Sequence, residues 1–252
     1  MCVLLTDLDN TMIYSHHRMV DAPKIVVEHL NGREQSFMTE FTYKFLSSSD
    51  WLRVIPITTR TEQQYKRIEC ASKLGFEYAI VCNGGKLLVN GVEDKEWTRQ
   101  THTIVQDKFE YLDDAIQQLS NLCKDDLIHR PDDYIGYVKC NNPENVYEKL
   151  KCRLDSTKVN VQRDDRKVYI FINGISKGSA VKRLKDRFHF TTILAAGDNT
   201  MDVPMLNLAD YAIVSNDISS MVTCRNKYVI SKQIISDDVC KYIQNMKLNG
   251  VI

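Results

Sequence analysis

The sequence is short of the features that would set it outside the ordinary globular class. Its eight cysteines, Cys2, Cys70, Cys82, Cys123, Cys140, Cys152, Cys224 and Cys240, include no C-x-x-C pair. That spacing argues against a metal cluster or disulfide framework and for reduced, mostly buried thiols in a cytoplasmic protein. No apolar run approaches the roughly 20 residues that a bilayer span needs. Lys+Arg and Asp+Glu stand at 33 each, so no net field draws the chain to nucleic acid or an anionic membrane. The N-terminus runs straight into a strand-like stretch with no basic leader, so no signal peptide is expected. Internal repeats and low-complexity linkers are also missing.

What is present is 252 residues, 43% apolar and 26% charged, enough for one large α/β domain or a core with a smaller companion. The organising stretch is Val3-Leu4-Leu5-Thr6-Asp7-Leu8-Asp9-Asn10-Thr11, an apolar run of strand length that ends in two aspartates and a turn-prone pair. Residues i and i+2 of an extended chain point to the same side, so both carboxylates leave one strand end together. Like charges that close do not both ionise comfortably unless a cation lies between them or one keeps a proton. Either arrangement serves an enzyme, as a bound Mg²⁺ or as a nucleophile beside an acid. A D-x-D pair alone also opens many polar loops, so the weight falls on what the rest of the chain supplies.

After the turn come the adjacent His16 and His17. On a strand they would face opposite ways, and no third ligand lies at suitable spacing, so they read as exposed or rim residues. Strand-like runs over 25–30 and 33–38 flank Asn31-Gly32, the strongest short hairpin signal, because both turn residues accept positive φ. Thr39 reads as the N-cap of a helix over 40–46. A second strand over 52–57 ends in Thr58-Thr59-Arg60, although Pro56 removes one ladder donor. The spacing of Tyr65, Ile68 and Leu74 predicts a helix closed by Gly75. A third strand over 78–82 ends at Asn83-Gly84-Gly85, and residues 86–89 with Asn90-Gly91 make a short hairpin. Strand, helix, strand with polar residues at the strand ends predicts a doubly wound, Rossmann-like parallel sheet.

From about Trp97 the pattern changes. A helix is expected over 105–122, a strand over 134–140 and a helix over 143–154 with Pro143 near its start. Strands over 159–162 and 168–172 follow, joined by the charged turn Arg163-Asp164-Asp165-Arg166. This predicts an inserted α+β domain of residues 97–172 in a core formed by residues 1–96 and 173–252. The first pattern then resumes. Ser176-Lys177-Gly178-Ser179 opens a helix to about Arg187, and a buried strand over 193–196 leads into Gly197-Asp198-Asn199-Thr200-Met201-Asp202. Met205-Leu206 begins another helix, strands are expected over 211–214 and 227–230, and a helix over 237–247 closes the chain.

Four strand or helix ends thus carry polar groups: Asp7 with Asp9, Thr58, Lys177, and Asp198 with Asp202. In an open parallel sheet the strand C-termini share one edge, where ligands bind. The set resembles the haloacid dehalogenase (HAD) superfamily of phosphatases, whose four motifs match as DLDNT, the threonine of ITTR, the lysine of SKGSA, and GDNTMD. The inserted segment resembles the C2-type cap of that superfamily's sugar phosphatases, as in its Cof-, sucrose-phosphate-phosphatase- and mannosyl-3-phosphoglycerate-phosphatase-like members.

The resemblance implies a Mg²⁺-dependent phosphohydrolase whose partner is a small phosphorylated metabolite, a sugar phosphate. It makes Asp7 the nucleophile that forms an aspartyl-phosphate, and Asp9 the acid for the leaving alkoxide and then the base for water. Thr58 offers a hydroxyl to the transferring phosphoryl group and Lys177 a positive charge beside it. Mg²⁺ would be held by Asp7, the backbone carbonyl of Asp9 and Asp198, with Asn199 and Asp202 as further metal-site candidates. Thr59, Arg60, Asn83 and Gly84 are candidates for substrate contact, and His129, Arg130, Tyr137 and Lys139 for its selection. One departure stands out. Many capped relatives read G-D-x-x-N-D, whereas Met201 here precedes the last aspartate, so Asn199 or water must supply any missing oxygen ligand. Two alternatives remain open: a phosphomannomutase-like phosphotransferase, which shares the motifs and cap type, and a catalytically idle protein that keeps the fold for binding.

Overall fold

The structure, a computed structural model, describes residues 2–164, 166–230 and 234–252; Asp165 of the expected charged turn lies outside the described residues. In chain order it runs β1 (Cys2–Thr6), β2 (Tyr14–Ser15), β3 (Lys24–Leu30), β4 (Arg33–Thr39), α1 (Glu40–Ser48), β5 (Arg53–Pro56) and α2 (Glu62–Tyr65). Next come β6 (Tyr78–Val81), β7 (Lys86–Val89), β8 (Val92–Glu93), α3 (Lys95–Val105), α4 (Phe109–Leu122), β9 (Ile128–Asp132), β10 (Ile135–Lys139) and α5 (Pro143–Arg153). The chain then forms β11 (Val159–Asp164), β12 (Lys167–Ile172), α6 (Lys177–Arg187), β13 (Thr192–Gly197), α7 (Val203–Leu206), β14 (Tyr211–Ser215), β15 (Asn226–Ile230) and α8 (Ile235–Leu248). It divides into two compact units, Met1–Asp94 with Lys177–Ile252, and Lys95–Ser176.

The first unit is built on a parallel sheet of five strands in the order β15-β14-β13-β1-β5. Val3, Leu4 and Leu5 of β1 are fully buried, as are Leu194, Ala195 and Ala196 of β13 beside them. A strand covered on both faces carries a continuous apolar run instead of an alternating one, and both strands do. Pro56 is tolerated because β5 ends the ladder. Ile57 donates its N–H to Thr6 O and Thr58 to Ile80 O. The missing donor of Pro56 therefore falls on the β6 side, where an isolated parallel bridge, Ile57 to Ile80, joins the two segments. The third strand expected in the parallel sheet instead pairs antiparallel with β7.

Asn31 and Gly32 take φ values of 53° and 74° in the β3–β4 turn, and Thr39 Oγ1 accepts the Thr42 N–H at the start of α1. The helix expected through Leu74 is cut to the single turn α2, capped reciprocally by Thr61 and Gln64. Beyond it, Glu69 N–H donates to Val27 O and Ile68 bridges Glu28, so β3 takes up the backbone groups a longer helix would need.

The second unit is an antiparallel sheet of four strands in the order β11-β12-β10-β9. Val138, Val168, Ile170 and Ile172 are fully buried, and a Cβ on Gly136 would lie 2.7 Å from Ile116 Cγ1 of α4. A glycine there lets the helix press onto the sheet. The single helix expected over 105–122 is two, α3 and α4, separated by a 3₁₀ turn at Gln106–Lys108 where Asp107 bonds Lys158 Nζ at 2.9 Å. β9 was not expected. Its Arg130 and Pro131 mask a strand that is tolerated at the sheet edge. Among the described residues no helix is long and apolar enough to cross a membrane.

Candidate active site

The site forms where β1 ends between its two parallel neighbours. Asp7 N–H donates to Ala196 O of β13 at 3.0 Å, which fixes the carboxylate beside the loop that follows that strand. Leu8 O then accepts three successive amides, from Thr11, Met12 and Ile13, while Asn10 turns back at φ 63°. This tight turn sets Thr11 Oγ1 against Asp198 Oδ1 at 2.8 Å and so ties the first motif to the last.

Lys177, the first residue of α6, is buried with Asp7 and Asp202, and its Nζ bonds Asp7 Oδ1 and, at 2.5 Å, Asp202 Oδ1. Asp202 Oδ2 accepts the N–H groups of Asp198 and Asn199 at 2.9 and 3.0 Å. Both Asp202 oxygens are thereby engaged, which makes this side chain the brace between Lys177 and the Asp198 loop. Burial alone would depress the Lys177 ammonium, but the carboxylates of Asp202 and Asp7 outweigh it and hold it above the ordinary lysine value. Burial pushes the Asp7 carboxyl well above the usual carboxylate range; Lys177 pulls it back only in part, and Asp202, Asp198 and Asp9 push it further up.

One atom decides whether a cation fits. Asp7 Oδ2 is buried and makes no hydrogen bond, although Oδ1 of the same group is bound by Lys177. Carboxylate oxygens of Asp7, Asp198 and Asp202 all lie within 4.8 Å of one another. A buried, unpartnered anionic oxygen beside a second carboxylate is costly on its own and suits a hard divalent cation. The residues present fit such an ion.

The other carboxylate of the D-x-D pair meets a different partner. Arg60 Nε and Nη2 donate to Asp9 Oδ2 and Oδ1, each at 2.8 Å, and Nη1 donates to Glu28 Oε2 at 2.9 Å. Arg60, expected to meet substrate, therefore commits its fork to two carboxylates. Burial works against the guanidinium charge, and the Asp9 and Glu28 bonds more than restore it. Glu28 is fully buried and also accepts from Ser36 Oγ and Arg67 Nε. Neither Glu28, Ser36, Arg67 nor Thr11 was singled out from the sequence. The available signal was Glu28 itself: a carboxylate directly after the apolar run Ile25-Val26-Val27 must find a partner if it is buried.

Of the remaining candidates, Thr58 is fully buried two residues past Pro56, the partner of Thr6 at the end of β1, and its Oγ1 accepts the Arg60 N–H at 3.1 Å. Thr59 is half-buried. Asn83 donates its N–H to Thr58 O at 3.0 Å, has φ 54°, and keeps a buried Oδ1 with no hydrogen bond; Gly84 follows at φ 108°. Asn199 Oδ1 accepts the Met201 N–H at 2.9 Å, so the amide closes its own turn while Met201 is buried. In the second unit His129 stacks on Tyr137 at 4.7 Å and Arg130 pairs with Asp113. His16, half-exposed, pairs with Glu34 at 3.1 Å.

Residues 124–243 match the family model of haloacid dehalogenase-like hydrolases. A search of curated proteins gives no significant match. Among solved structures, the sucrose-phosphatase of Synechocystis, in complex with sucrose and phosphate, aligns with a TM-score of 0.64 at 12% identity over 97% of both chains. The subclass IIB sugar phosphatase BT4131 aligns with a TM-score of 0.63 at 12% identity over 100% of both chains. A trehalose-6-phosphate phosphatase related protein aligns with a TM-score of 0.56 at 12% identity, over 98% of this chain and 99% of its own. The chain thus shares the fold of these solved structures over nearly its whole length, and its residues 124–243 match the model of haloacid dehalogenase-like hydrolases.

Proposed function

We propose that this protein is a Mg²⁺-dependent phosphomonoester phosphatase that acts on a small phosphorylated metabolite, a sugar phosphate, through an aspartyl-phosphate at Asp7. The observation that carries the reading is the divided state of Asp7, with one oxygen on Lys177 and the other buried without a partner beside Asp198. The sugar phosphatases among the structural neighbours support the substrate class.

Asp7 and Asp198, with the backbone carbonyl of Asp9, would hold the cation, and Asp202 would orient Lys177 and the Asp198 loop. Bound there, Mg²⁺ supplies the neutralisation that lets a phosphate dianion approach a carboxylate. An Asp7 oxygen attacks phosphorus as the ester P–O bond breaks, and Asp9, once released from the Arg60 fork and protonated, gives that proton to the departing alkoxide. Asp9 then takes a proton from water, whose oxygen attacks phosphorus, frees Asp7 and yields inorganic phosphate. Lys177 and the Thr58 hydroxyl stabilise charge on the moving phosphoryl group. Residues 97–172 act as a C2-type cap domain that selects the leaving group, a role matched by their insertion between β8 and α6.

A screen of phosphorylated metabolites, scored by phosphate release, tests this. Release from sugar monoesters that needs Mg²⁺, stops with a chelator and requires no bisphosphate activator is the expected result. Isomerised product formed only with a bisphosphate would establish phosphotransfer instead, and turnover of none would remove the enzymatic reading.

A further inference from the structure

We propose that Asn83 determines specificity, its side-chain Oδ1 accepting a hydrogen bond from a hydroxyl on the leaving group; the inference rests on the phosphatase reading above. Three backbone bonds place the residue. Ile57 donates its N–H to Thr6 O, Thr58 donates to Ile80 O at 2.9 Å, and Asn83 donates to Thr58 O at 3.0 Å. The loops after β1, β5 and β6 therefore leave one edge side by side, and they carry Asp7, Thr58 and Asn83. That edge, at the strand C-termini, is where an open parallel sheet binds its ligand. On its other side the 82–84 turn packs against α6, whose first residue is Lys177.

The turn has a backbone that residues other than glycine rarely adopt. Cys82 and Asn83 both take φ 54°, and Gly84 follows at 108°. Cys82 N–H bonds Arg60 O at 2.8 Å, so two successive amides pin the turn to the loop after β5. Strained turns of this kind persist where their surroundings enforce them, and they gather at ligand sites. The side chain adds a second observation. Asn83 is 6% exposed, and its Oδ1 is buried with no hydrogen bond. Turn geometry accounts for an asparagine at positive φ, but not for burying its amide unpaired. Asn10, Asn31 and Asn90 also take positive φ, and all three are exposed. An acceptor buried without a donor costs free energy that a donor on the substrate recovers.

The free atom is an acceptor, which fixes the chemistry of its partner. The oxygens of a phosphate dianion have no proton to donate, whereas a sugar hydroxyl does. A neutral amide also adds no charge to an edge that already holds Asp7, Asp9 and Asp198, where one more carboxylate would repel the phosphate. A site with a buried acceptor discriminates against an ester that leaves that acceptor unpaired.

Asn83→Gly keeps the positive φ and removes the amide. On the sugar phosphate that the wild-type protein hydrolyses fastest, kcat/KM is expected to fall by about tenfold or more. On p-nitrophenyl phosphate, which has no hydroxyl to offer, it is expected to fall by no more than about twofold. Asn83→Asp keeps the acceptor and adds a charge, so it should slow both esters and hold their ratio within about twofold of wild type; it carries the test if Asn83→Gly does not fold by circular dichroism. An equal loss on both esters in Asn83→Gly, no loss on the sugar phosphate, or a ratio that Asn83→Asp shifts by about tenfold overturns the assignment and leaves the phosphatase reading standing. Wild-type protein that hydrolyses no sugar phosphate overturns both.

Discussion

Two cations flank the end of β1, each between two carboxylates, and they differ in what they leave over. Lys177 brings a compact point charge to Asp7 and Asp202, takes one oxygen from each, and leaves Asp7 Oδ2 buried and unbound. Arg60 brings a fork to Asp9 and Glu28, and between them Arg60, Arg67 and Ser36 engage both oxygens of each carboxylate. The same ingredients thus give an open site on one side and a closed one on the other. Lys177 also stands in the first turn of α6, where a positive charge opposes the helix dipole. Its place there is owed to the carboxylates, not to the helix.

The largest effect should come from breaking the open side at its reactive group. Asp7→Asn is expected to lower kcat by about 10³-fold or more, since an amide is no nucleophile for phosphorus. The substitution also removes one negative charge from a crowded cluster, so the melting temperature should hold. Wild-type rates in this variant would strike out the nucleophile assignment. Next in size is the stability difference between the two cations. Lys177→Met leaves two buried carboxylates facing each other and should cost about 3–5 kcal/mol in urea unfolding. Arg60→Met should cost about half as much, because Glu28 keeps Arg67 and Ser36 and Asp9 reaches solvent. Millimolar Mg²⁺ should restore part of the Lys177→Met loss and none of the Arg60→Met loss. Equal losses and equal responses to Mg²⁺ would erase the distinction between the sides.

The open side was readable in the sequence, and of the closed side only Asp9 and Arg60 were, without their pairing, for a physical reason. Asp7, Lys177, Asp198 and Asp202 lie at strand or helix ends, where a polar residue after an apolar run is visible against its neighbours. Glu28 lies in β3 between buried Val27 and exposed His29, so its charge reads as a solvent-facing position until the partner strand and Arg60 are in place. Arg60 was noticed for its neighbours, but its direction is set by hairpin residues more than 20 positions away in the chain. The parallel sheet followed from its near-continuous apolar strands, while β6 left it because the consequence of Pro56 depends on which side its missing donor faces. Edge strand β9 and the break between α3 and α4 carried no periodic signal at all.

A smaller effect probes how tightly the open side is packed. A Cβ on Gly197 would fall 2.4 Å from Asp202 Cβ and 2.7 Å from its Oδ2. Those atoms are the brace on Lys177 and cannot swing away without losing the Asp198 and Asn199 amides. Gly197→Ala should therefore cost about 1–3 kcal/mol in thermal unfolding and lower kcat as well. Unchanged stability would mean that the Asp202 brace is loose.

The smallest effect is expected at the pair that lies on neither side. His16 and Glu34 meet at 3.1 Å with half of each side chain in solvent, at the outer end of the same hairpin that carries Glu28. An exposed ion pair gains little from Coulomb attraction in water and gives up side-chain freedom to form, so His16→Ala should shift stability by no more than about 0.5 kcal/mol. Activity should also hold, because the Glu28 partners Arg60, Arg67 and Ser36 do not include His16. Urea unfolding and kcat/KM on an alkyl ester check both expectations. A marked loss of stability or of kcat/KM in His16→Ala would mean that the closed side extends to the tip of the hairpin.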